Sequence, residues 1–176
     1  MELNRVRDIA LKLLKKHNLR DWTFKWGTLD SMRIRDKYVL ARCDYTLKNI
    51  ILSRELTEHE TNIDRLTNTI LHEIAHAIDF DRRNMSNHDK VWQKIAKSIG
   101  CMGNKCGDIS GVNMKKVAKW IAECPTCHKK FFTHIKPKTK MSCASCGGKG
   151  FNPNYLIGDY KPNDYVIKTY ESFIKL

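Results

Sequence analysis

No stretch of this chain stays apolar for long. The longest hydrophobic runs are broken by charge within a few residues, too soon for a helix that crosses a bilayer. The first residues, MELNRVRDIALKLLKKHNL, are charged throughout and lack the unbroken apolar core of a secretory signal. A cytoplasmic, reducing setting is therefore expected, with no membrane partner and with association with DNA or a nucleoid left open. Internal repeats and linker-like low-complexity tracts are absent. No heptad seam or swapped element is apparent, so the oligomeric state stays open. Acidic residues are also few: 19 Asp and Glu stand against 32 Lys and Arg, a formal net charge of +13. Between Glu73 and Glu123 there is no Glu at all.

What is present suffices for one domain, or one with a small appendage: 176 residues, 41% of them apolar. The basic excess is uneven. Residues 104–150 hold ten Lys against Asp108 and Glu123, whereas residues 31–103 carry twelve basic and ten acidic side chains. A concentrated excess suits an anionic partner, nucleic acid being the commonest, over a merely solvated surface.

Apolar residues at three- and four-residue steps (Leu3, Val6, Ala10, Leu13, Leu14) predict an amphipathic helix over 2–18. Trp22–Gly27, Tyr38–Tyr45 and Asn49–Ser53 read as short strands. A long helix is expected from about Glu58 to Phe80, with Ile63, Leu66, Ile70, Ile74, Ala77 and Ile78 as its buried stripe. Residues 82–87 read as a loop. Ser86 or Asn87 can cap a further helix that runs to about Ile99 and stops at Gly100.

The long helix contains LHEIAHAID. His72 and His76 are four residues apart, hence on one face and able to bind the same ion, and Glu73 can reach a water on that ion. Zinc lowers the pKa of such a water, and a carboxylate then takes its proton as the water attacks a carbonyl. The apolar or small flanks Leu71, Ile74, Ala75 and Ala77 suit a buried site; two surface His would not require them. A third ligand has to lie further on. A helical Glu some twenty residues later is missing, and the pattern ending G-x-x-H fails, with Asp79 and Arg82 at those positions. Asp79, Asp81, His88 and Asp89 remain. His88, after a loop long enough to turn the chain back, would complete a three-His site with one open position. Asp79 is read either as a partner that orients a ligand His or as a solvent-facing side chain.

A second constellation reads CPTCHKKFFTHIKPKTKMSCASCGG. Cys124, Cys127, Cys143 and Cys146 form two C-x-x-C pairs separated by fifteen residues, the spacing of a four-cysteine zinc ribbon. With all four positions filled, this zinc would be structural, and a redox role is the weaker alternative. In a reducing setting, seven Cys argue for metal or free thiols rather than disulfides. Each pair makes a tight knuckle, the stretch between them can make a β-hairpin, and Gly147 and Gly148 after the second pair supply the backbone freedom that such a turn needs. Cys101 and Cys106 read as ordinary thiols rather than replacement ligands, and His128 and His134 as surface residues. Phe131 and Phe132 read as ribbon core before base-stacking platforms.

In order and spacing, NTILHEIAHAID, NHDKVWQKIAKSIG and the CPTC and CASC pairs resemble the SprT-like family over roughly residues 1–150. Asp89 departs from it, since the family commonly has Gly after the third His. The resemblance implies an α+β fold: a zincin-like metalloprotease domain, helices on a small antiparallel sheet, with a C-terminal β zinc ribbon. The corresponding division is 1–103 for the protease domain, 104–150 for the ribbon and 151–176 for a C-terminal segment packed on the domain. It further implies His72, His76 and His88 as ligands of a catalytic zinc, Glu73 as the catalytic residue, and Cys124, Cys127, Cys143 and Cys146 around a structural zinc. Its better understood members cleave proteins attached to DNA, with DNA promoting activity. The expected partners are thus a protein substrate and DNA, single-stranded or crosslinked to protein. Two alternatives stay open: a nucleic-acid-binding ribbon protein with a non-proteolytic metal site, and a general metalloprotease indifferent to DNA.

Overall fold

The computed structural model describes residues 2–34, 37–102, 112–164 and 166. Cys106 and Lys105 lie outside them, as does the sequence-expected boundary at 103/104. The chain divides into two compact units, Met1–Val112 and Asn113–Leu176.

The first unit begins with α1 (Leu3–Lys16), which buries Val6, Ala10 and Leu14 at four-residue steps. Strands β1 (Thr23–Gly27), β2 (Arg33–Ile34), β3 (Lys37–Tyr38), β4 (Ala41–Asp44) and β5 (Asn49–Ser53) follow. β2 and β3 make a separate two-stranded ribbon, and the main sheet has the order β1-β5-β4. That sheet is mixed rather than wholly antiparallel. β4 pairs antiparallel to β5, but β1 runs parallel to it, Thr23 opposite Asn49 and Gly27 opposite Ser53. The twenty-odd residues from 28 to 48 supply the crossover that a parallel pair needs. All five residues of β5 are buried, as a central strand requires.

In place of one helix from Glu58 there are two: α2 (Arg54–Glu58) and α3 (Ile63–Arg83). The break is built by side chains. Glu60, 1% exposed, accepts the N–H groups of Thr61 and Asn62 through Oε1, and Asn62 Oδ1 accepts those of Asp64 and Arg65. Such a cap meets the donors that a helix start leaves orphaned. Beyond it, Leu66, Ile70, Ile74 and Ala77 are buried as expected, while Ile63 and Ile78 are only half-buried. Every residue from Leu71 to Ala77 is buried, so α3 runs through the middle of its unit. It ends at Asn84, whose left-handed φ of 54° suits Asn. α4 (Lys90–Ser98) is capped by Asp89, not by Ser86 or Asn87: Asp89 Oδ1 accepts from Val91 and Trp92 N–H. Leu71, Ala75, Trp92, Ile95, Ala96 and Cys101 form the core between α3 and α4.

In the second unit, β6 (Trp120–Glu123) pairs antiparallel with β7 (Lys130–Thr133), so the first C-x-x-C pair sits at the hairpin turn. The expected hairpin between the two pairs is not formed. Residues 134–141, which include Pro137 with no N–H to offer a ladder, are irregular. The short helix α5 (Ala144–Gly147) carries the last cysteine, with Gly148 at φ 77° just after it. The tail belongs to this unit. β8 (Lys161–Pro162) adds a third strand beside β6, and Asn163 Nδ2 donates to the carbonyls of Lys115 and Ala118 at 2.8 and 2.7 Å. No helix among the described residues is long and apolar enough to cross a membrane.

The α3 cap gives a stability test. Replacing Asn62 with Ala should cost about 1 kcal/mol in denaturant unfolding, and Asn62→Asp should recover most of it.

Candidate metal centre

α3 places His72 and His76 one turn apart on its buried middle, and the following loop returns His88 to them. The three Nε2 atoms converge: 3.2 Å between His72 and His76, 3.1 Å between His76 and His88, 2.9 Å between His88 and His72. Zn–N bonds of about 2.05 Å in a tetrahedron put ligand nitrogens about 3.3 Å apart. The donor set therefore fits a divalent cation. It does not fit three mutually hydrogen-bonded rings, which lack the protons for every pair. His72 and His76 are buried, whereas His88 is exposed and closes the site from the solvent side. Burial, then the facing His72 and His88, push His76 down to about 3, so its lone pair stays free. Burial and His72 also lower His88.

Trp92 forms the floor. Its ring centroid lies 4.6, 5.0 and 4.5 Å from those of His72, His76 and His88. It is 1% exposed and packs in the α3–α4 core, so the ligand rings rest on that core. The sequence placed this aromatic four residues after His88 but did not assign it contact with all three rings.

Glu73 lies on α3 facing β4 rather than bulk water. It is 7% exposed, and its carboxylate accepts the backbone N–H of Cys43. Burial pushes it up to about 7 against the opposing pull of His72 and that N–H. The free Cys43 thiol, half-buried on β4, is raised by burial first and by Glu73 next.

The other third-ligand candidates are engaged elsewhere. Asp81 accepts from Trp22 Nε1 at 2.8 Å and pairs with Lys48 at 3.1 Å. Asp79 is neither solvent-facing nor bonded to a ligand His: it is fully buried and takes a two-pronged grip from Arg83 at 2.7 and 2.6 Å. The same guanidinium reaches Asp89 at 2.9 and 3.2 Å. Arg83 thus joins the end of α3 to the cap of α4, and His88 is the residue just before that cap. Asp79 first and Asp89 next raise Arg83, and Arg83 in turn lowers Asp89, as charge-assisted pairs do.

In the second unit the four cysteine sulfurs lie within 4.8 Å of one another. Cys124 and Cys146 are 3.9 Å apart, Cys127 and Cys143 3.7 Å. These separations are far too long for disulfides and match the roughly 3.8 Å of sulfurs on tetrahedral zinc. The Cys127 N–H pulls the Cys124 thiol down to about 6, while the neighbouring sulfurs push Cys146 up to about 12. Four thiolates cannot ionise together at this spacing without a cation among them. His128 is exposed and bonded to Glu123 at 2.8 Å, but His134 is buried, contrary to its sequence reading. Cys101 is a buried core thiol.

The family model of the SprT-like family matches residues 9–116, well over half the chain, including both α3 and α4. The chain belongs to the SprT-like family. No curated protein matches the sequence significantly. Among solved structures, the crystal structure of the metallopeptidase zymogen abylysin from Pyrococcus abyssi aligns over 53% of this chain and 87% of its own length, at 17% identity and a TM-score of 0.38. In this SprT-like chain Asp89 stands where the family commonly has Gly, and the structure gives that departure a use as helix cap and partner of Arg83.

Two outcomes are expected. Elemental analysis should find zinc at both clusters, with the His72→Ala/His76→Ala double variant keeping only the ribbon's share. Arg83→Ala should lower the thermal midpoint more than Asp89→Asn does, because it strands the buried Asp79 charge while Asp89 stays half-exposed.

Proposed function

We propose that this chain is a zinc-dependent metalloendopeptidase acting on proteins bound or crosslinked to DNA, with the ribbon as its DNA-binding part. The observation that carries the hydrolytic reading is the meeting of three imidazole Nε2 atoms beside a buried carboxylate held by a strand N–H. His72, His76 and His88 would hold the catalytic zinc, and Cys124, Cys127, Cys143 and Cys146 the structural one. Bound zinc supplies an acidified water and polarises the scissile carbonyl. Glu73 takes the proton of the attacking water on its carboxylate and passes it to the leaving nitrogen. The Cys43 N–H keeps that carboxylate aimed. β4 is an edge strand of the main sheet, so an extended substrate segment can add to it beside Glu73.

The DNA reading rests on the ribbon's charge. Nine of the ten lysines in 104–150 fall within the described residues, and all nine are exposed. Four thiolates around one zinc offset part of that charge but leave an excess. Lys136 sits over Trp120, 5.1 Å from the ring, as a cation–π pair. Phe131 and Phe132 are half-buried, in keeping with core rather than stacking roles.

The test is cleavage of a DNA-binding protein with and without single-stranded DNA. Wild type should cleave with DNA present, and Glu73→Gln should lose about a hundredfold or more while keeping its zinc and melting temperature. Equal cleavage without DNA would point to a general metalloprotease. Full activity in Glu73→Gln would sink the mechanism. Salt-sensitive DNA binding with no hydrolysis by zinc-loaded wild type would favour the nucleic-acid-binding alternative.

A further inference from the structure

His76 differs from His72 in what its second nitrogen meets. Its Nδ1 lies 2.8 Å from Ser86 Oγ, in the loop between α3 and α4. Ser86 is in turn hydrogen-bonded to the hydroxyl of Tyr45, just past the end of β4. The Tyr45 ring is stacked on Phe80 of α3, with centroids 4.7 Å apart and planes 21° apart. One chain of contacts therefore runs from α3 to the β4 end, to the loop, and back to α3 at His76. By contrast, His72 Nδ1 is buried with no hydrogen-bond partner among the described residues.

We propose that Ser86, backed by Tyr45, is the positioning residue that sets the tautomer and ring plane of His76. The proposal rests on the zinc-site reading above. An imidazole that offers Nε2 to a cation must carry its proton on Nδ1, and that N–H needs an acceptor where water is scarce. Ser86 Oγ is that acceptor. A hydroxyl has one proton and two lone pairs, so Ser86 can accept from His76 and still donate to the Tyr45 oxygen. Stacking on Phe80 stops the phenol from swinging away. Asp79, the carboxylate that α3 places nearest this duty by sequence, is neutralised by Arg83 instead. The outcome is a ligand oriented by a neutral hydroxyl, which adds no negative charge beside the cation.

The experiment is zinc competition with a chromophoric chelator on the full chain. The His72→Ala/His76→Ala double variant reports the ribbon site alone. Ser86→Ala should weaken the histidine-site zinc about ten- to a hundredfold and leave the ribbon zinc unchanged. Ser86→Thr, which keeps the oxygen, should restore most of that loss. Tyr45→Phe, which keeps the stack on Phe80, should lose a smaller part. The metal-free proteins should melt alike. If Ser86→Ala holds zinc as tightly as wild type, Ser86 has no such role. If Ser86→Thr is as weak as Ser86→Ala, the loop's shape matters and the hydroxyl does not, which also overturns the proposal. Wild type that binds zinc only as tightly as the double variant would remove the zinc-site reading itself and this proposal with it.

Discussion

Three imidazole nitrogens held 2.9 to 3.2 Å apart with their lone pairs facing one another repel unless a cation lies among them. A fold that keeps them there must hold them from behind. Here the support is a helix buried all round at its middle, a tryptophan packed under all three rings, and a loop whose two ends are tied to one guanidinium. Burial of α3 between Leu71 and Ala77 does two things at once. It keeps His72 and His76 from turning to water, and it desolvates Glu73 so that its charge state answers to its immediate neighbours.

The loop from 84 to 89 shows how position is secured without regular structure. Asn84 turns the chain in the left-handed region, Asp89 starts the next helix, and Arg83 grips Asp79 on one side and Asp89 on the other. His88 and Ser86, which both meet His76, are carried by that short clamped span. A Gly at 89 would make the turn from backbone freedom, whereas Asp89 makes it through a cap and a charge pair.

The second unit solves a different problem. With few residues to bury, it gathers four sulfurs at two knuckles and pins its tail with a strand and Asn163. Small units of this size commonly need such a staple. Its exposed lysines are then free to serve a surface role rather than the core.

Whatever depends on spacing within one element was legible in the sequence. The helical period sets His72 and His76 on one face, and a C-x-x-C pair closes one knuckle whatever surrounds it. The strands at 23–27 and 49–53 and the stripe through Leu66, Ile70 and Ile74 follow from the same local repeat. Tertiary structure alone decided the rest, because it turns on distances between segments far apart in the chain. Asp79, Asp81, His88 and Asp89 all remained as third-ligand candidates in the sequence, with His88 favoured; in the folded chain Arg83, Trp22 and Lys48 engage the three carboxylates and the imidazole is left at His72 and His76. The parallel pairing of β1 with β5, Trp92 beneath three rings, Ser86 behind His76 and the tail strand beside β6 likewise need the folded chain. Each is a contact between elements, and no periodicity within one element encodes it.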